Sequence, residues 1–207
     1  MQLFKVLPLA GVLLLAAIVF VWRPWLQRRR HGHSGIFLFR SGDRLQKVRD
    51  SMLLVMFVLL AGQALAAAVR PEMLPLAEAD LRSASGIRHG LGAVLLFVGL
   101  LLLVAAQLNL GASWRIGIEE GARPGLVTAG LYRLTRNPIF LALLVILAGY
   151  TLLLPTLLSA LMLAGGYMAI RQQIAEEESY LVRAYGQAYR DYARRVGRLL
   201  PGIGKLD

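Results

Sequence analysis

Residues 130–150 read GLYRLTRNPIFLALLVILAGY. Two arginines, Arg133 and Arg136, come before an Asn-Pro step, and beyond it the chain turns apolar. This pattern predicts a polar loop that feeds a hydrophobic helix. Pro138 suits the first helical turn, where a missing N–H costs nothing and the fixed φ is already helical. The apolar stretch runs on to Ile170, broken only by LLLPTLLS at 152–159. Residues 138–170 are too few for two full crossings with a loop between them. They predict a tight helical hairpin turning at Pro155, because proline cannot continue a helix interior.

Three further apolar runs lie upstream, at about Leu3–Trp22, Ser51–Val69 and Leu91–Leu110. Each has roughly the 20 residues that span a bilayer. The first is a poor signal peptide. Only Lys5 is basic ahead of it, and RPWLQRRR follows where a small-residue cleavage site belongs. Trp22 and Trp25 suit a membrane interface. The chain is 57% hydrophobic and 17% charged, more apolar than a soluble domain. We therefore expect an all-α integral membrane protein with about five transmembrane helices, the hairpin supplying spans 4 and 5. Residues 1–110 would carry the first three spans and a basic loop; residues 111–207 would carry the cofactor-binding region.

The net charge is +11, but the cations flank apolar runs instead of forming a face with interleaved aromatics. This is the positive-inside pattern, not a nucleic-acid surface. Residues 23–50 hold eight Lys or Arg, residues 111–137 four, and the tail from Arg171 seven. The opposite side keeps only Lys5, Arg70, Arg82 and Arg88. With five spans, the N-terminus would lie outside an inner (cytoplasmic) membrane and the C-terminus in the cytoplasm. There is no cysteine, which excludes disulfides, thiolate metal sites and a cysteine nucleophile. His31 and His33 have no further ligand nearby in sequence, so no metal site is expected. Gly90, Gly92, Gly99 and the AGGY at 164–167 suit close helix packing.

The tail IAEEESYLVRAYGQAYRDYARRV (174–196) has helical spacing. Ile174, Leu181, Tyr185, Ala188, Tyr192 and Val196 draw one stripe, which predicts a cytoplasmic amphipathic C-terminal helix. Glu177 lies roughly 40° from the stripe centre, Glu178 roughly 60° and Glu176 roughly 140°. Glu177 and Glu178 therefore border the buried face, and Glu176 should see water. A carboxylate beside an apolar stripe needs a partner, which a ligand amine or an arginine would supply. Arg133, Arg136 and Arg171 are the candidates.

LVTAGLYRLTRNPIF, followed by EESYLVRAYGQAYRDYARRV and Pro201, resembles the isoprenylcysteine carboxyl methyltransferase family of membrane methyltransferases. The related phospholipid methyltransferases look similar. The upstream segment LGASWRIGI also resembles the family's approach to its cofactor loop. The resemblance spans about Gly111–Pro201 and implies S-adenosylmethionine bound between the loop and the acid-bearing helix. It matches Leu126 and Val127 to backbone-contacting positions, and Tyr132 to the tyrosine of a Gly-x-Tyr. Asn137, Pro138, Ile139 and Phe140 match a His-Pro-x-Tyr stretch, and Glu177 matches the acid that meets the cofactor amine. The helix N-terminus and neighbouring arginines, Arg136 among them, would hold the cofactor carboxylate.

The sequence departs from the family pattern at three positions. Asn137 and Phe140 replace a histidine and a tyrosine, so neither can carry a required proton. Gln173 stands where prenylcysteine enzymes carry an arginine, and the nearest arginine is Arg171. We place both in the acceptor-binding region, and the neutral Gln173 argues against a carboxylate acceptor. The expected activity is S-adenosylmethionine-dependent methyl transfer to a lipophilic or small acceptor (a carboxylate, a thiol or a lipid amine) in contact with membrane lipid. A sterol-reductase-like oxidoreductase would need room for a dinucleotide, and a non-catalytic membrane protein would bind no cofactor.

Overall fold

The N-terminal apolar run forms α1 (Gln2–Ala16), a π-helical segment (Ala17–Trp22) and α2 (Arg23–His31) in direct succession. Gly32 ends α2 in the left-handed region, at φ 81°, with its N–H bonded to the Arg28 carbonyl. The computed structural model describes residues 2–36, 44–70, 74, 85–115 and 125–206. The remaining elements are α3 (Arg44–Val69), α4 (Ser85–Leu110), α5 (Pro138–Leu153), α6 (Leu157–Tyr185) and α7 (Gln187–Arg195). Among the described residues there is no β-strand, only an isolated parallel bridge between Thr135 and Gly197.

Val6–His31, Gln46–Val69 and Gly86–Ser113 are each long and apolar enough to cross a membrane. The hairpin differs in length. With 16 residues, α5 rises about 24 Å, short of the roughly 30 Å hydrocarbon core. The hairpin turns where proline predicts. The chain leaves helical geometry at Leu154, and Thr156 then caps α6 by accepting the Ser159 N–H at 3.0 Å in a reciprocal capping box. Gln63 of α3 donates to the Thr156 hydroxyl, and Tyr150 Oη donates to the Leu60 carbonyl at 2.8 Å. Between apolar helices such polar ties replace the missing hydrophobic drive.

Glycines set the α4–α5 contact. A Cβ added at Gly99 would lie 2.9 Å from the Ile146 nitrogen, and one at Gly149 would lie 2.5 Å from the Leu96 nitrogen. Gly92 faces the Gly149 carbonyl in the same way, whereas Gly90 and Gly165 face open space. Of the glycines expected at helix contacts, Gly92, Gly99 and Gly166 are therefore at them.

Arg23, counted above among loop cations, lies inside the first helix and is 2% exposed. It donates to the Gln107 and Gly111 carbonyls at 3.2 and 2.6 Å and lies over the Trp114 ring at 4.8 Å. A cation here meets the unpaired carbonyls at the C-terminal end of α4.

The tail is not one helix. Gly186, at φ 54° and ψ −124°, separates α6 from α7. That break resets the helical phase. Tyr189 is buried (1% exposed), whereas Ala188, on the stripe drawn for a continuous helix, is exposed.

Candidate active site

The loop before α5 is shaped by its own residues. Gly130 sits at φ 60°, where an added Cβ would overlap Asn109 Oδ1. That oxygen accepts the Leu131 N–H at 2.7 Å, which ties the loop to the end of α4. Gly130–Arg133 then form a single 3₁₀ turn. The Tyr132 carbonyl accepts Tyr192 Oη at 2.7 Å, so α7 holds this turn from the other side.

The C-terminal segment grips the loop further. The Arg136 N–H donates to the Gly197 carbonyl at 2.9 Å. Thr135 Oγ1 and Asn137 Nδ2 donate to the Arg198 carbonyl at 3.2 and 2.9 Å. Arg136 itself is buried, and all five of its side-chain N–H donors have protein acceptors. Nε and Nη2 reach Glu178 Oε1 at 3.1 and 2.6 Å; Nη1 reaches the Ala193 and Val196 carbonyls, and Nη2 also reaches that of Gly204. Arg198 adds a second guanidinium on Glu178, with Nη2 2.6 Å from Oε2. A buried carboxylate held by two planar cations is a structural joint, strong because both charges are paired and hydrogen-bonded.

The three consecutive acids of α6 therefore have three different environments. Glu176, expected in water, forms an ion pair with Arg49 of α3. Glu178 joins Arg136 and Arg198. Among the described residues Glu177 has no such partner: its Oε1 accepts from Gln173 Nε2 at 3.2 Å. Burial holds its carboxyl above the usual carboxylate range, against the Gln173 hydrogen bond and the field of Arg115; Glu176 raises it further. Part of Glu177 remains reachable by solvent although protein crowds it. Tyr132 feels the Glu177 charge, and burial followed by that charge pushes its phenol upward. The loop and the acid-bearing helix are joined one residue beyond Glu177, where Arg136 holds Glu178.

Residues 87–188 match the family model described as phospholipid methyltransferase. The chain is 32% identical over 117 residues to protein-S-isoprenylcysteine O-methyltransferase A of Arabidopsis thaliana, covering 54% of this chain and 58% of that protein. It is 27% identical over 115 residues to protein-S-isoprenylcysteine O-methyltransferase of Dictyostelium discoideum, covering 54% of this chain and 48% of that one. The chain spans about half the length of these curated relatives. The structure of a eukaryotic intramembrane Ras methyltransferase, isoprenylcysteine carboxyl methyltransferase, superimposes with a TM-score of 0.54 at 20% identity, over 88% of this chain and 61% of that one. The chain shares the fold of that intramembrane methyltransferase.

Within this methyltransferase fold the expected site residues fall into three groups. Glu177 is bonded by Gln173, and its charge acts on the buried Tyr132. Leu126 and Val127 are half-buried in the extended chain before the turn, and Leu126 packs on the Tyr189–Tyr192 cluster. Asn137 and Pro138 open α5, with Phe140 half-buried and Ile139 packed toward Leu96 and Leu100 of the bundle. Arg136 and Arg171 stand apart. With its donors committed, Arg136 supports the loop and has no N–H left for a ligand carboxylate. Arg171 is exposed and lies 5.9 Å from the Tyr167 ring. Two residues along a helix from Gln173, it faces roughly 160° away.

Among the described residues, no group of three or more His, Asp or Glu could hold a metal ion, and His31 and His33 are an exposed pair with ring centroids 6.5 Å apart. Arg198, Gly197, Gly186 and Arg49 escaped the sequence reading. Each acts across a turn or across the bundle, where local spacing carries no signal.

Proposed function

We propose that this chain is an S-adenosylmethionine-dependent methyltransferase of the cytoplasmic membrane, acting on a lipophilic acceptor that reaches the site from the bilayer. One observation carries the reading: among the described residues Glu177 is a crowded carboxylate bonded by an amide and not by a cation, one residue from the Arg136–Glu178 joint to the loop. Such a group calls for a cationic partner, and the ammonium of an amino-acid head group supplies one. S-adenosylmethionine brings a methyl group already activated on a sulfonium, so the protein has mainly to position the reactants and exclude water.

The chain's own residues fit those tasks. Glu177 holds the ammonium, and Gln173 orients Glu177. The Glu178–Arg136–Arg198 joint fixes the loop against α6. Neither Asn137 nor Phe140 can shuttle a proton, so the acceptor attacks as an already nucleophilic atom. The relatives named as S-isoprenylcysteine methyltransferases favour a prenylated acceptor. The outward-facing Arg171 implies that recognition of such an acceptor does not run through that side chain.

Titration of the purified protein should give micromolar binding of S-adenosylmethionine, on the order of −8 kcal/mol, and no binding of NADPH. Heat with NADPH alone would favour the reductase reading. No heat or thermal shift with S-adenosylmethionine or its demethylated product would remove the methyltransferase reading.

A further inference from the structure

With Arg136 committed to the protein, another group must meet the negative end of an amino-acid head group. Arg133 is exposed on the 3₁₀ turn. Arg115 is better placed. It is half-buried just beyond the end of α4, the end to which Asn109 ties the Leu131 N–H, and its field acts on Glu177. Among the described residues no ion pair within 4 Å joins the two.

The two residues before Arg115 are held by packing and a hydrogen bond. Its neighbour Trp114 is 2% exposed, lies under the Arg23 guanidinium, and packs where a Cβ on Gly35 would come within 2.9 Å of its ring. Ser113 Oγ donates to the Gly125 carbonyl at 3.3 Å. That bond brings the end of α4 beside Gly125, and the loop that follows is tied to Asn109 of α4 at Leu131 and to Glu178, the residue after Glu177, at Arg136. A carboxylate on α6 and a guanidinium after α4 thus share one site while staying unjoined. Opposite charges held apart by rigid supports suit a ligand that carries both charges itself.

We infer that Arg115 and Glu177 form the two jaws of a zwitterion clamp, Glu177 taking the α-ammonium and Arg115 the α-carboxylate of the bound amino-acid head group. The inference rests on the reading that S-adenosylmethionine occupies this site. It assigns the carboxylate to a residue outside the Tyr132–Phe140 loop.

The test compares two ligands, S-adenosylmethionine and decarboxylated S-adenosylmethionine, which keeps the adenosine, sulfonium and ammonium and lacks only the carboxylate. The purified full chain should prefer the intact ligand by about tenfold or more, as one charge-assisted contact provides. Arg115→Gln should abolish that preference, weakening the intact ligand about tenfold and the decarboxylated one less than about threefold. Arg115→Lys should keep part of it, and Glu177→Gln should weaken both ligands alike. Equal affinity of the unaltered protein for the two ligands would overturn the clamp without any variant. So would an Arg115→Gln effect equal for both ligands, which marks a scaffold role, or one confined to the acceptor's KM. If the unaltered protein binds neither ligand, the methyl-donor reading falls as well, an outcome distinct from binding both equally.

Discussion

Three adjacent glutamates in one helix show how little residue type says about role. Glu176 and Glu178 are matched by arginines from other elements, whereas among the described residues Glu177 has no ion pair, and we propose it for a ligand. Glu177→Gln should therefore weaken S-adenosylmethionine about ten- to a hundredfold, the size of a charge-assisted hydrogen bond. The pH dependence follows from its raised carboxyl. The ligand ammonium needs the ionised form, so binding expels a proton wherever the free protein still holds it. Affinity should rise with pH up to the folded-state value of Glu177 and then level off. In Glu177→Gln this rise should be missing, and the binding heat should no longer depend on the buffer's ionisation enthalpy. Stability of the free protein runs the other way. A carboxyl raised on folding stabilises fully below its unfolded value, and that contribution is lost as pH climbs through the folded one. At neutral pH Glu177→Gln should therefore melt no lower than the parent, as a thermal scan would show. A lower melting temperature would mean that Glu177 is a structural partner.

At the level of elements, the hairpin was legible because Pro155 and the Asn-Pro step punctuate an otherwise unbroken apolar run. The α4–α5 seam was legible in its glycines. Gly149→Ala puts a methyl against the Leu96 backbone and should cost about 1–3 kcal/mol, as overpacking does, seen as earlier unfolding in denaturant. The break at Gly186 was not legible. A glycine inside an amphipathic pattern is tolerated in a helix, and only the fold-back of α7 reveals its backbone geometry. Gly186→Ala should cost about 1–3 kcal/mol in strain and should also loosen the cluster of Tyr189, Tyr192, Ala193 and Val196. Proteolysis near residue 186 would register that loosening.

For the molecule as a whole, composition and cation placement announced a helical membrane protein, and the motif pair placed the candidate site in its second half. The long-range ties were beyond local patterns. Arg49 and Glu176 are 127 positions apart, and no periodicity connects them. Their pairing puts the first basic segment and the end of α6 at one end of the bundle. The cation counts assign that shared end to the cytoplasm. A reporter fused after Asp207 should be active only in the cytoplasm; activity on the far side would refute the orientation.

The last described turns of the chain also impose an order in time. The loop at 135–137 takes its hold from carbonyls between Ala193 and Gly204 and from Arg198. Those residues leave the ribosome after every apolar helix has been made. The membrane bundle can therefore be in place while the candidate site is still open, and the site would be complete only once the tail docks. Cutting the purified protein at an engineered protease site after Arg195 should leave the helices intact and remove ligand binding.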